Sequence, residues 1–259
     1  MSTRSPVTTL KDLALHLGVH KSTVSRAMDA ERRHLVAADL LQRIEAAARE
    51  LGYRPNHAAA ALSRGRSKTV GVLLPDITNP VFPPILRGIE DALDEEGYFA
   101  LLANTSRPDH SVDAAQVAVE RMQAQRVEGF LVATATRDDA WLERLRQSGA
   151  RIVLIGSRTA NGSPTRSQYA ATKAALVGMA RSWAAELAPR GITVNVLAPG
   201  ATDTPFLRDP ARAQTQAKVP PIGRFVQPEE VAGLAAFLLG PQGGAMTGQH
   251  LVMCGGASL

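Results

Sequence analysis

The feature that most constrains the fold is an alternation, from residue 69 onward, of short apolar runs with longer amphipathic stretches. The apolar runs have the length of strands and read TVGVLL, YFALLA, VEGFLVA and RIVLIG. Between them, the periodicity predicts helices at about residues 82–96, 112–125 and 139–147. Because strands that are apolar along both faces must be covered on both faces, this pattern predicts a parallel sheet with helices on each side.

Residues 9–51 show a different periodicity, which predicts three short helices. Thr9 and Asp12 have the spacing of a capping box, and Gly18 permits a tight turn before a second helix. A third helix is expected from about Ala38 to Leu51. The apolar positions that would face a common core are Leu10, Leu13, Ala14, Leu17, Val24, Ala27, Met28, Leu41, Ile44, Ala48 and Leu51.

The second of these helices, at about residues 21–28, has an outer face of small polar and basic residues. These are Lys21, Ser22, Thr23, Ser25 and Arg26. A helix that enters the major groove of DNA needs little bulk on its outer face, Arg or Lys for guanine edges, and hydroxyl groups for phosphates. Two short helices around a glycine turn, with such a face on the second helix, are typical of a helix-turn-helix.

Positive charge is concentrated in the same part of the chain. Residues 1–70 contain 12 Lys and Arg against 6 Asp and Glu, whereas the whole chain contains 29 against 24. The remainder of the chain is therefore close to neutral. A local excess of this kind favours a polyanionic partner such as DNA.

The segment TLKDLALHLGVHKSTVSRAMD, followed by YRPN, HAAAALSRGRSK, PDITNPVF and RVEGFLV, resembles the LacI family of bacterial repressors. The resemblance runs to about Arg158. It implies a homodimer that binds double-stranded operator DNA and a short hinge helix after the third helix. The implied DNA contacts are base reading by Lys21, Ser22 and Arg26, phosphate binding by Thr23, Ser25 and Asn56, and insertion into the minor groove by Leu62.

The same resemblance bears on effector binding and on helix capping. In the family, the segment that corresponds to Asn79 to Phe82 borders a cleft for a small-molecule effector between two subdomains. Here the second subdomain does not follow, so we expect weak effector binding or none, with Phe82 packing as an ordinary helix residue. The family usually has Ser at the positions of His20 and Ala37, which predicts that the second and third helices fray at their starts.

From residue 159 the sequence resembles the C-terminal half of a short-chain dehydrogenase/reductase, through NGSPTRSQYAATKAALVG, ITVNVLAPGATDTPF and PIGRFVQPEEVAGLAAFLL. The resemblance implies that Tyr169 is a general acid/base whose phenol pKa is lowered by Lys173, one helical turn away. It also implies that Ser157 polarises a carbonyl group. Ser157 stands twelve residues before Tyr169, one fewer than the commonest family spacing.

The cofactor of such an enzyme would be NAD or NADP. No glycine-rich turn follows TVGVLL, and the half of a dehydrogenase that carries this turn is missing. A hydride cannot be transferred without its carrier. We therefore expect no cofactor under the main interpretation, and NAD or NADP only under the alternative that the chain is an oxidoreductase.

The run RIVLIGSR fits both resemblances, which predicts that the tail extends the same sheet. The expected organisation is an all-α helix-turn-helix headpiece with a hinge helix at residues 1–66 and a hybrid Rossmann-like α/β domain at residues 67–259. In the hybrid, residues 67–158 form a half like the periplasmic-binding-protein-like effector domain. Residues 159–259 form the short-chain-dehydrogenase-like half.

Three functions follow from this organisation, in decreasing order of support. The first is a sequence-specific DNA-binding transcriptional regulator with impaired effector control. The second is an NAD(P)-dependent oxidoreductase, inactive because its cofactor-binding half is missing. The third is a non-functional chimeric fusion product that does neither.

Other features of the sequence exclude further classes of protein. The single Cys254 rules out an internal disulfide, and the absence of a second cysteine or a close histidine pair around it argues against a structural metal site. No apolar run approaches the roughly 18 residues of a membrane span. Because Lys11 and Asp12 stand where a signal peptide would be apolar, we expect a cytoplasmic protein.

Overall fold

The computed structural model describes residues 8–29, 32–53, 65–105, 114–133, 140–210 and 217–259. The chain divides into two compact units, residues 1–65 and residues 66–259. Each unit has its own hydrophobic core.

The first unit is helical, as predicted. Its helices are α1 (Leu10–Leu17), α2 (Lys21–Ala27) and α3 (Ala38–Glu50), with a 3₁₀ turn at Arg33–Leu35. A common core buries apolar side chains from all three helices, so the predicted inward positions are confirmed. Its most buried members are Leu13, Ala14, Val24, Ala27, Ile44, Ala47 and Ala48.

The helix ends of this unit are fixed by local hydrogen bonds. The Thr9 side chain accepts from the backbone N–H of Asp12, and the Asp12 carboxylate accepts from the backbone N–H of Thr9 at 2.8 Å, which completes the predicted capping box. The His20 ring caps α2 by accepting from the backbone N–H of Ser22. The start of α2 is therefore capped although Ser is absent, whereas Ala37 provides no side-chain cap for α3.

The described residues of the second unit form a sheet of six parallel strands. They are β1 (Thr69–Leu74), β2 (Phe99–Asn104), β3 (Gly129–Val132), β4 (Arg151–Ile155), β5 (Val194–Pro199) and β6 (His250–Met253). Their spatial order is β2-β1-β3-β4-β5-β6, with every neighbouring pair parallel. The predicted fold class, a helical region followed by a Rossmann-like parallel sheet, is confirmed.

Helices cover both faces of this sheet. On one face lie α4 (Phe82–Glu95) and α8 (Pro228–Leu239), and on the other lie α5 (Ala114–Ala124), α6 (Ala140–Gln147) and α7 (Ser167–Leu187). Each layer has its own apolar core against the strands. The helices predicted in the first half of this unit are present within two residues of their expected bounds.

The tail shares the sheet, as the run RIVLIGSR predicted. Ile152 in β4 is in register with Val194 in β5, and this pairing continues to Ile155 and Leu197. The tail helix α8 also packs on α4, from the first half of the unit. The two halves therefore have one continuous core.

A hydrogen-bonded cluster fixes the start of the second unit. Glu128 accepts from the backbone N–H of Lys68 at 2.9 Å and from the Tyr98 hydroxyl at 2.9 Å. Arg66 forms an ion pair with Glu128 at 3.3 Å and also donates to the Tyr98 hydroxyl. Residues 66–68 are thereby attached to the amino ends of β1 and β3.

Candidate functional site

The outer face of α2 is polar and the inner face is apolar. Val24 and Ala27 are buried, at 0% and 4% exposure. Four of the five predicted contact residues are exposed and the fifth, Thr23, is half-buried; the exposed ones are Lys21, Ser22, Ser25 and Arg26. The structure therefore brings this predicted set together on one helix face, held in place by the core beneath it.

Ser22 has a local partner that the sequence did not reveal. Its Oγ lies 2.8 Å from His20 Nδ1, the same ring nitrogen that accepts the backbone N–H of Ser22 at 3.2 Å. A nitrogen that accepts carries no proton, so the hydroxyl donates to it. The oxygen of Ser22 keeps its acceptor capacity for a ligand, whereas its proton is already engaged.

The other positions from the repressor resemblance lie outside α2. Asn56 and Leu62 lie outside the described residues. The Asn79 side chain accepts from the backbone N–H of Val81 at 3.1 Å, and Phe82 begins α4. Asn79 thus belongs to the turn that links β1 to α4, and Phe82 is the first residue of that helix.

Phe82 lines a small apolar cavity at the carboxyl ends of β1, β3 and β4. The cavity has a volume of about 20 Å³ and is also lined by Leu74, Leu131 and Ile155. A space of this size holds at most a water molecule. Phe82 thus packs as a core residue, and this cavity has no room for an effector.

The dehydrogenase-type residues lie at the start of α7 and the end of β4. Tyr169 and Lys173 are one turn apart on α7, with Lys173 Nζ 5.8 Å from the centre of the Tyr169 ring. Lys173 Nζ donates a hydrogen bond to the carbonyl oxygen of Ile155 at 3.3 Å. Burial lowers the pKa of Lys173, and Tyr169 is 45% exposed.

Ser157 follows β4 and caps the 3₁₀ turn Arg158–Asn161. Its Oγ accepts from the backbone N–H of Thr159 at 3.2 Å. It lies two residues after Ile155, whose carbonyl binds Lys173. The end of β4 therefore holds both Ser157 and the ammonium of Lys173, while Tyr169 presents its phenol to solvent.

The turn after β1 does not suit the pyrophosphate of a dinucleotide. Such a group binds free backbone N–H groups at a helix N-terminus, close to a glycine-rich turn. Here Pro83 and Pro84 remove two N–H groups from the first turn of α4. The Asp76 carboxylate lies in the loop between β1 and α4. Hydrogen bonds from the Thr78 hydroxyl and backbone N–H lower the pKa of this carboxylate. These residues do not fit the cofactor.

Among the residues that the structure describes, no group of three or more His, Cys, Asp or Glu side chains could hold a metal ion. Within the same residues, every helix is too short or too polar to cross a bilayer.

Comparison with known proteins places both parts of the chain. The family model described as Enoyl-(Acyl carrier protein) reductase matches residues 102–258, which is more than half of the chain. The chain belongs to the short-chain dehydrogenase/reductase family. A second model, Bacterial regulatory proteins, lacI family, matches residues 9–56, so this short-chain dehydrogenase/reductase also carries a LacI-type headpiece.

Curated relatives resemble the regulatory part. The regulator PtxS of Pseudomonas plecoglossicida is 39% identical over 139 residues, which cover 54% of this chain and 40% of that regulator. RegA of Clostridium saccharobutylicum is 33% identical, over 60% of this chain and 45% of that regulator. The chain thus spans less than half the length of these relatives.

Solved structures resemble the α/β unit. One is the 3-alpha-hydroxysteroid dehydrogenase from Pseudomonas sp. B-0831, complexed with NADH, with a TM-score of 0.58 and 22% sequence identity. The aligned region covers 73% of this chain and 96% of the dehydrogenase. At this level of identity the likeness concerns the fold alone.

The match to the short-chain dehydrogenase/reductase family begins at residue 102, well before the junction expected at residue 159. It therefore includes part of β2 and all of β3 and β4. The sequence of this region shows only apolar strands and amphipathic helices, which suit a regulator and a dehydrogenase equally. Apart from the motif RVEGFLV, which carries the repressor resemblance, no residue between 102 and 158 gave a signal that could have separated the two families.

Proposed function

We propose that the chain is a sequence-specific DNA-binding transcriptional regulator that recognises double-stranded operator DNA through α2. The observation that carries the proposal is the outer face of this helix. Its exposed side chains are small, polar or basic, while Val24 and Ala27 anchor the helix in the core. A helix of this kind can approach base edges without displacing its own core.

We assign the contacts by chemistry. Arg26 and Lys21 supply donors for guanine edges. Ser22 supplies an acceptor, because its hydroxyl already donates a hydrogen bond to the His20 ring. Thr23, Ser25 and Asn56 contact phosphates, and Leu62 inserts into the minor groove. Phosphate contacts set the affinity, and base contacts set the choice of sequence.

The active form in this proposal is a homodimer, because one headpiece makes few base contacts. The outer edge of β2 supports such a form. Phe99, Leu101 and Leu102 are 58%, 36% and 41% exposed, and no residue of β2 is charged. Edge strands in soluble proteins usually carry charges that prevent pairing. Two copies that pair through β2 around a twofold axis would match a palindromic operator.

Effector control is impaired in this proposal. In the repressor family, the segment that corresponds to Asn79 to Phe82 borders the effector cleft. Here Phe82 lines a cavity of only about 20 Å³. A small-molecule effector therefore has no space in that cavity, and control of DNA binding by such a ligand is expected to be weak there.

The test is a comparison of specific and random DNA. Operator sequences would be selected from a random library with the full chain, and affinities measured by fluorescence anisotropy at several salt concentrations. Arg26→Ala should weaken binding to the selected sequence about tenfold or more, which corresponds to the loss of one bidentate base contact, and should weaken random DNA much less. Arg43→Ala, at an exposed position of α3, is the matched control. If Arg26→Ala lowered the affinity for both DNAs equally, the assignment of α2 as the helix that reads the sequence would be wrong.

The alternative function is an NAD- or NADP-dependent oxidoreductase. It is supported by the anchored Lys173 beside Tyr169. It is opposed by the turn after β1, where Asp76, Pro83 and Pro84 do not fit a pyrophosphate. We therefore rank it second and derive no catalytic step.

A further inference from the structure

A polar pocket lies between α7, the 3₁₀ turn after β4 and the start of β6. Its volume is about 300 Å³, which is near the lower limit for pockets that bind small molecules. Polar groups are supplied by Asn161, Arg181 and His250, and the apolar part of the wall includes Ala174 and Val177. We call it the α7–β6 pocket. It does not include Ser157, Tyr169 or Lys173.

Arg181 gives the α7–β6 pocket one fixed positive charge. Its guanidinium is exposed, and among the described residues no carboxylate pairs with it. Other described arginines of this unit do have such a partner, for example Arg146 in Glu143 and Arg224 in Glu230. Arg181 is therefore a guanidinium in a concave site with its donors available.

His250 contributes a second unsatisfied group. Its Nε2 is buried and makes no hydrogen bond to the described part of the chain. Burial, and secondarily the positive charge of Arg181, lower the pKa of His250 below its ordinary value. Buried polar atoms without a partner are uncommon in folded proteins and are often found where a ligand or water belongs.

We propose that the α7–β6 pocket binds a small aliphatic carboxylate. The carboxylate pairs with the Arg181 guanidinium, whose planar donors match its two oxygens. The amide of Asn161 donates to the same group, and the aliphatic chain lies against Ala174 and Val177. A single fixed charge matches a monoanion, whereas a phosphate dianion would keep part of its charge unpaired.

The probe is butyrate, with butyramide as its neutral isostere, titrated into the full chain at pH 7. Binding would be followed by the NMR signal of the His250 ring, identified by its loss in His250→Gln. Butyrate should shift this signal in a saturable way, and butyramide should bind at least tenfold more weakly. Arg181→Gln should weaken butyrate binding at least tenfold, whereas Arg190→Gln, at an exposed site outside the pocket, should leave it unchanged.

Three outcomes would overturn the proposal. These are equal binding of butyrate and butyramide, equal effects of Arg181→Gln and Arg190→Gln, and inorganic phosphate binding as tightly as butyrate, which would indicate a general anion site. If Arg181→Gln failed to fold, the comparison of butyrate with butyramide on the unaltered chain would still test whether the pocket requires a carboxylate. Because the measurement involves no DNA, its result does not depend on the proposed regulatory function.

Discussion

A Cβ atom added to Gly88 would lie 3.2 Å from the Cβ atom of Ala232. Gly88 is in α4, from the half that resembles a regulator, and Ala232 is in α8, from the tail. The same added atom would lie 3.3 Å from the Cα atom of Glu229. The two helices therefore approach so closely that only a glycine fits without displacement, and the halves share a tightly packed contact.

We predict that Gly88→Val destabilises the second unit by about 1–3 kcal/mol, because the larger side chain forces α4 and α8 apart. Gly233→Ala is the control, since it adds a methyl group on α8 where no atom lies within 4 Å. This change should stabilise the unit by roughly 0.5–1 kcal/mol through helix propensity. Both tryptophans, Trp141 and Trp183, belong to this unit, so urea unfolding followed by their fluorescence measures each effect. A neutral Gly88→Val would contradict the close approach.

We predict that His20→Ala destabilises α2 by about 1 kcal/mol, because the N-terminal cap is lost. The reciprocal change, Ala37→Ser, supplies a cap that α3 lacks and should stabilise that helix by about 0.5–1 kcal/mol. Hydrogen exchange of the full chain would report both effects as changed protection in the first turns. If His20→Ala left exchange in α2 unaltered, the cap would have no energetic role.

We predict a pH dependence at the start of α8. Hydrogen bonds from Arg224 and from the backbone N–H of Gln227 lower the pKa of Glu230 to about 2. The folded-state pKa is below the unfolded value, so the contribution is fully present above about pH 4.5 and is lost as the pH falls toward 2. Because the side chain is 39% exposed, we expect less than about 1 kcal/mol.

Glu230→Gln tests this contribution. Its destabilisation at pH 7 should shrink between pH 4.5 and pH 2, as measured by urea unfolding at each pH. Glu229→Gln, at the exposed neighbouring position, is the control. A deficit for Glu230→Gln that stayed constant over this range would show that the ionised carboxylate contributes nothing.

We predict that the chain binds neither NADH nor NADPH in the micromolar range. The reason is that Pro83 and Pro84 remove donors from the first turn of α4, and that Asp76 adds a negative charge to the loop between β1 and α4. Nucleotide fluorescence would be titrated against the full chain, with a dehydrogenase that binds NADH as the positive control. Saturable micromolar binding would place the oxidoreductase ahead of the regulator.

The sequence predicted the elements well where hydrophobic periodicity decides them. The helix expected at residues 82–96 is Phe82–Glu95, and the strand RIVLIG contains β4. Contacts between residues far apart in sequence could not be predicted. The carbonyl of Ile155 that binds Lys173, and the carboxylate of Glu128 that binds Arg66, become neighbours only when the sheet forms.

Of the candidate sites, the sequence predicted the face of α2 but not the α7–β6 pocket. The face of α2 follows from helical spacing alone, so its residues were found together. The fraying expected at the start of α2 rested on the absence of Ser, although an imidazole nitrogen can also accept a backbone N–H, as that of His20 does. The α7–β6 pocket gave no local signal, since Asn161, Arg181 and His250 come from three separate elements.

The register between β4 and β5 has a consequence for how genes can recombine. The hydrogen bonds of this pairing join backbone atoms, which every residue possesses, so the two strands need no matching side chains along their shared edge. Only the helix-facing surfaces must be compatible. Two unrelated gene segments can therefore be joined at a parallel strand and still encode a protein that folds. Their sequences need not have evolved together.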